Sequence, residues 1–235
     1  MASIKFYHNW DFDGAEASLK KAEELGLNSS LFNQVYGWLL IAKGEFDKAI
    51  EKMREATLRD PLSLPLISNL ADAYTFANRY DEAIEQYNKV AEMDPTFRRA
   101  YEGRGMVHLI NGEWKKAVDD LEKYQRLIGN PLKGLTTLGH AYAVTGQTEK
   151  ALDCIERLKQ REQQEPGTLL YIDYSVIYFG LKDYDKAFYY LNKSYENRMG
   201  IACLGMIFCI RYPMMKEMRT DPRFRELTEK MGIIN

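Results

Sequence analysis

Ala15, Ala49, Ala83, Ala117 and Ala151 stand thirty-four residues apart, and Ala187 follows after thirty-six. A fixed period in this range marks stacked repeats, each a small unit that buries its apolar face only against its neighbours. Other residues keep the same period. Small residues lie twelve before the alanines (Gly37, Ala71, Gly105, Gly139, then Ser175), and Gly44, Asn78, Gly112 and Gly146 lie five before. An aromatic usually lies three before: Phe12, Phe46, Tyr80, Trp114, Tyr184. Pro61 and Pro95 fall twelve after Ala49 and Ala83.

Each feature has a physical cause. Gly or Asn just past a helix accepts the left-handed conformation that ends it, so those positions close a first helix and open a short turn. Apolar residues at three- and four-residue spacing run on both sides, as in Tyr36, Leu39, Leu40 and then Phe46, Ile50, Met53. Proline cannot continue a helix and disfavours helix in the residue before it, so the second helix ends near Pro61 or Pro95. Small residues at Gly37 and Ala49 let the two helices approach closely. Each unit therefore reads as a helix-turn-helix hairpin.

This pattern resembles the tetratricopeptide repeat (TPR). Gly37, Gly44, Phe46, Ala49, Ala56 and Pro61 match in one repeat; Ala71, Tyr74, Tyr80, Ala83, Tyr87 and Pro95 match in the next. Repeat four has Tyr101, Gly105, Gly112, Trp114 and Ala117, but its proline, Pro131, comes two residues late. Repeat five has Leu138, Gly139, Tyr142, Gly146 and Ala151. Repeat six has Tyr171, Tyr174, Tyr178, Tyr184 and Ala187, with Lys182 where Gly is usual. The resemblance covers roughly residues 5–199. It implies an all-α, right-handed TPR superhelical solenoid of about six hairpins, with residues 1–199 as the array and 200–235 as capping helices. The two residues inserted before Ala187 are expected in a loop across Gln160 to Gly167.

Net charge is −2, from 32 basic and 34 acidic residues, so nothing predicts nucleic acid, which favours a clustered basic face. Three scattered cysteines do not make a disulfide framework, and free thiols favour a reducing, cytoplasmic setting. His8, His108 and His140 are too far apart for a zinc pattern, so no metal or other cofactor is expected. The apolar stretch Ile201 to Ile210 is too short to span a bilayer and reads as a buried helix.

The two ends read differently from the middle. Ala15 belongs to a second helix, so Ile4 to His8 is what remains of a first, and the expectation is a piece cut from a longer protein. Tyr7-His8-Asn9-Trp10-Asp11-Phe12 and, near the end, Arg219-Thr220-Asp221-Pro222-Arg223-Phe224 resemble the segments that open and close TPR arrays of multidomain bacterial regulators of cyclase, kinase or winged-helix type. That resemblance implies an accessory or sensory domain of a signalling or transcription regulator. Asp221 is the expected N-cap of a last helix and Pro222 its first residue.

By the same resemblance, the first helix of each hairpin lines a concave groove with its positions two, five, nine and twelve, which share one helical face. The candidate peptide-binding residues are Gln34, Trp38, Ile41, Phe76, Met106, Leu109, His140, Ile172, Val176 and Phe179. An exposed apolar patch of this kind fits an amphipathic helix or apolar peptide. Relatives that bind chaperones grip a terminal carboxylate with inward Lys and Asn. Here those places hold Gln34, Trp38, Ser68, Asp72 and Glu102, which argues against a chaperone adaptor. The alternatives are a free-standing adaptor, or a self-associating module whose groove is filled by its own chain, either Ile201 to Met215 or a second copy as a homodimer.

No catalytic constellation stands out. Glu23-Glu24 and Asp119-Asp120 are adjacent on helices and point apart, and Cys154 lacks a His partner in the sequence. Arg104 and His108 replace the Leu and Tyr usual in the repeat core. They read either as a polar site inside the array or as an Arg whose stem packs while its head reaches solvent or a carboxylate, beside a hydrogen-bonded His. The expectation is a non-catalytic protein-binding scaffold, with no nucleic-acid or membrane partner.

Overall fold

The computed structural model describes residues 11–168, 170–197 and 217–230. Among these the secondary structure is helical throughout. A lone second-type helix comes first, α1 (Phe12–Glu24). Five hairpins follow: α2 (Ser30–Lys43) with α3 (Phe46–Arg59), α4 (Leu64–Phe76) with α5 (Tyr80–Met93), α6 (Arg98–Ile110) with α7 (Trp114–Ile128), α8 (Leu135–Val144) with α9 (Thr148–Gln164), and α10 (Tyr171–Gly180) with α11 (Tyr184–Glu196). A 3₁₀ turn (Met218–Thr220) then leads to α12 (Pro222–Lys230). The remnant first helix expected at Ile4 to His8, the apolar stretch Ile201 to Ile210 and both of its cysteines lie outside the described residues.

The described chain falls into two compact units, residues 11–95 and residues 96–197 with 217–230. In the first, α2 packs on α1, α3 and α4, and α4 also packs on α3 and α5. In the second, α8 packs on α6, α7, α9 and α10, α10 packs on α9 and α11, and α12 docks on α11.

The alanine ladder is the seam of these hairpins. Ala15, Ala49, Ala83, Ala117, Ala151 and Ala187 are all fully buried. Opposite Ala117 sits Gly105, where an added Cβ would lie 2.8 Å from Leu121 Cγ and 3.2 Å from the Ala117 carbonyl oxygen. The turn chemistry also repeats. Gly44, Asn78, Gly112, Gly146 and Lys182 all take positive φ, between 59° and 78°. In each case the next residue's N–H closes back on the first helix: Glu45 to Leu40, Arg79 to Tyr74, Glu113 to His108, Gln147 to Tyr142 and Asp183 to Tyr178, at 2.8–3.0 Å. This six-to-one bond satisfies carbonyls that the helix end would otherwise leave open.

The loop expected across Gln160 to Gly167 is corrected. Helix α9 runs on to Gln164 and has 17 residues, against 14 in α3 and α5. Gln, Glu, Lys and Arg are good helix formers, and Arg161 pairs one turn on with Glu165 at 3.0 Å. At the far end, Asp221 Oδ1 accepts from the Arg223 N–H at 2.9 Å, so Asp221 caps α12. Arg223 also reaches Asp185 of α11 at 2.7 Å and lies over the Phe188 ring. Phe224 and Leu227 are buried.

Candidate functional site

The first helices carry the expected inward positions, and burial divides them along their length. In the first unit Gln34 and Trp38 are half-buried on α2 while Ile41, one turn on, is fully buried. The Trp38 ring meets the Phe76 ring of α4 edge-to-face at 6.3 Å, which joins two candidate residues across adjacent repeats. Phe76 itself is buried. Asp72 of α4 accepts from the Tyr87 hydroxyl at 2.5 Å, and Ser68 is buried with no hydrogen-bond partner for its hydroxyl.

In the second unit Met106, Leu109, His140, Val176 and Phe179 are buried, and Ile172 is half-buried. His140 Nδ1–H donates to the Val176 carbonyl at 2.9 Å, tying α8 to α10. Burial holds the imidazole neutral, with its pKa pushed down to about 4. The ring fits only because position 180 is glycine: a Cβ there would lie 2.9 Å from His140 Nδ1. Two of the candidates are thus buried in the first unit and five in the second, while Gln34 and Trp38 of the first and Ile172 of the second stay partly accessible.

Two further carboxylates border this face in the second unit. Glu102 of α6 takes the Tyr124 hydroxyl as a hydrogen-bond partner. Asp173 of α10 accepts from the Thr136 hydroxyl of α8, and burial raises its pKa above the usual carboxylate range. Asp173 was not among the inward positions read from the sequence, because it lies one residue past Ile172. Its signal was a lone carboxylate in the otherwise uncharged run Leu169 to Gly180.

Arg104 and His108 follow the second of their two readings, an Arg head on a carboxylate beside a hydrogen-bonded His. The Arg104 guanidinium makes a two-pronged pair with Asp120 of α7, at 2.8 and 2.7 Å. His108 Nδ1–H donates to Glu113 at 2.5 Å. These contacts lie within one hairpin. Cys154 is buried and its thiol is pushed up to about 11, which leaves it protonated and unreactive at neutral pH. Among the described residues no cluster of metal-ligating side chains occurs. None of the described helices is long and apolar enough to cross a membrane.

Helical hairpins with a fixed period, a small-residue seam and one repeated turn define a helical-repeat protein. The family follows from comparison. Residues 40–104 match the tetratricopeptide repeat model, and solved TPR structures share the fold. Residues 40–104 thus carry tetratricopeptide repeats, and the described helices share the fold of TPR proteins. A thermophilic TPR protein of Thermus thermophilus aligns with 79% of this chain and 94% of its own at 17% identity, TM-score 0.60. The APC/C hetero-tetramer Cut9–Hcn1 aligns with 98% of this chain and 45% of its own at 15% identity, TM-score 0.61. The pilF protein of Pseudomonas aeruginosa aligns with 94% of this chain and 90% of its own at 17% identity, TM-score 0.52. No curated protein matches in sequence.

Proposed function

We propose that the chain is a non-catalytic protein-binding scaffold whose first-helix face receives a helix or extended peptide, within a cytoplasmic bacterial signalling or transcription regulator. In this reading residues 1–199 form the array and residues 200–235 its cap. The observation that carries it is the apolar first-helix face within each unit, with Ile41 and Phe76 buried in the first and Met106, Leu109, Val176 and Phe179 buried in the second. Gln34 and Trp38 remain reachable in the first unit and Ile172 in the second. Hot-spot residues of interfaces are commonly aromatics with a polar handle, and Trp38 is the one on this face. A fold neighbour that belongs to a hetero-tetramer accords with a scaffold.

The second reading, a face covered by the protein itself, is favoured by the low exposure of Ile41, Met106 and Val176. A pull-down with wild type and Trp38→Ala separates the two when paired with light scattering. The scaffold reading expects captured partner to fall at least about tenfold, with an unchanged helical signal. Undiminished capture sinks the groove, and a concentration-dependent mass favours the covered face.

A further inference from the structure

Asp173 is a poorly solvated carboxylate on a first helix, and among the described residues its one side-chain hydrogen-bond donor is a hydroxyl. Thr136 donates to it from the neighbouring first helix. It forms no ion pair with a described residue. Arg161, whose charge bears on it, is already held by Glu165 at 3.0 Å, and Lys133 reaches the same Glu165 at 3.4 Å. Glu162 adds negative charge nearby while accepting from the Tyr174 hydroxyl at 2.9 Å. Carboxylates withdrawn from water are ordinarily paired, because leaving one alone costs several times what a surface charge costs. The side chain is partly accessible, and it lies beside Thr136 and the reachable candidate Ile172.

We propose that the guest of this face carries a lysine or arginine whose cation pairs with Asp173, with an apolar neighbour resting on Ile172. The inference rests on the groove reading above and adds the charge of the partner. Association would give the carboxylate the charge-assisted partner it lacks, and the Thr136 hydroxyl would hold it in place. The same charge would select against acidic peptides, opposite to the carboxylate-gripping relatives.

The test uses the full chain and two capped amphipathic peptides of leucine and glutamine, one carrying a single arginine and its twin carrying methionine there. Affinity is read by fluorescence anisotropy, and contact by NMR shifts at Thr136 and Ile172. The expected result is about a tenfold preference for the arginine peptide, weakening with salt. Asp173→Asn is expected to erase that preference while melting no lower than wild type, since it removes an unpaired carboxylate. Equal affinity for both peptides, or a preference that survives Asp173→Asn, overturns the proposal and leaves the groove standing. Failure of both peptides to bind overturns the groove reading and the proposal with it. If Asp173→Asn does not fold, Asp173→Ala serves instead: it removes the carboxylate and should likewise erase the preference. An unchanged preference in that variant overturns the pairing.

Discussion

Gly105 and Lys182 show opposite answers to one question, whether a side chain fits the backbone it sits on. At Gly105 a Cβ would meet both the Leu121 side chain and the Ala117 backbone oxygen, and backbone cannot swing away. Alanine would gain about 1 kcal/mol of helix propensity there. Overpacking costs about 1–3 kcal/mol, so the net effect of Gly105→Ala is a loss of about 1 kcal/mol. A thermal melt checks it, and a variant as stable as wild type would show that α6 and α7 can separate freely. Lys182 sits at φ 61°, where three of the other four turns use glycine. The left-handed conformation costs a side-chain-bearing residue about 1–2 kcal/mol. Glycine gives back part of that through the freer unfolded chain. Lys182→Gly should therefore raise the melting temperature, by a net gain of about 0.5–1 kcal/mol. A lower melting temperature would mean the lysine side chain does more for the turn than the strain costs.

At the level of the helices, much was readable from the sequence because each hairpin repeats one local grammar. Gly44, Asn78, Gly112 and Gly146 stop first helices at the places their φ preference dictates. The end of α9 was not readable, because Gln and Glu serve loops and helix surfaces alike and only the Arg161–Glu165 pair and the packing of Leu158 decide. The inward positions were read from the family resemblance, with helical period placing them on one face, and their burial was not readable, since it depends on neighbours thirty-odd residues away. Arg104 was legible as an oddity, and its partner was not, because Asp120 lies on the other helix of the hairpin. Comparison of repeats shows what that pair replaces. The same two positions hold Tyr36 with Lys52 over its ring, and Leu138 with Cys154, both buried. The single variant Arg104→Leu strands Asp120, which is nearly buried, and should cost about 2–3 kcal/mol. Adding Asp120→Cys recreates the pair found one repeat later and should recover most of that loss. A double-mutant cycle by urea denaturation reads the coupling, and additive single effects would show that the two side chains act independently.

For the molecule as a whole, pH is the variable that sorts these interactions. Carboxylates with cationic partners, such as Glu16 beside Lys20 and Lys43, Asp183 beside Lys186 and Asp221 beside Arg223, have lowered pKa values. Their stabilisation is present above the ordinary carboxylate range and is lost only as pH falls below it. Asp173 has the opposite sign: its raised value favours the folded state once protonated, so it offsets part of that acid loss. His140 acts earlier than the paired carboxylates. Its folded value of about 4 lies below the ordinary 6.5, so the unfolded chain binds a proton that the folded one refuses. Stability should therefore begin to fall as pH drops through about 6.5 and continue to fall to about 4, by at most about 3 kcal/mol. Exposed pairs such as Lys230 with Glu226 contribute little to this curve, because water and salt already screen them. The measurement is the melting temperature from pH 7 to pH 4 for wild type and His140→Gln. The variant keeps a side-chain donor for the Val176 carbonyl but cannot take up a proton, so it should start less stable and stay nearly flat down to about pH 5. A variant curve parallel to wild type would place the acid response in the carboxylates instead. It would also mean that the α8–α10 contact tolerates a charged imidazole, which a ring at 1% exposure against Gly180 gives no room to solvate.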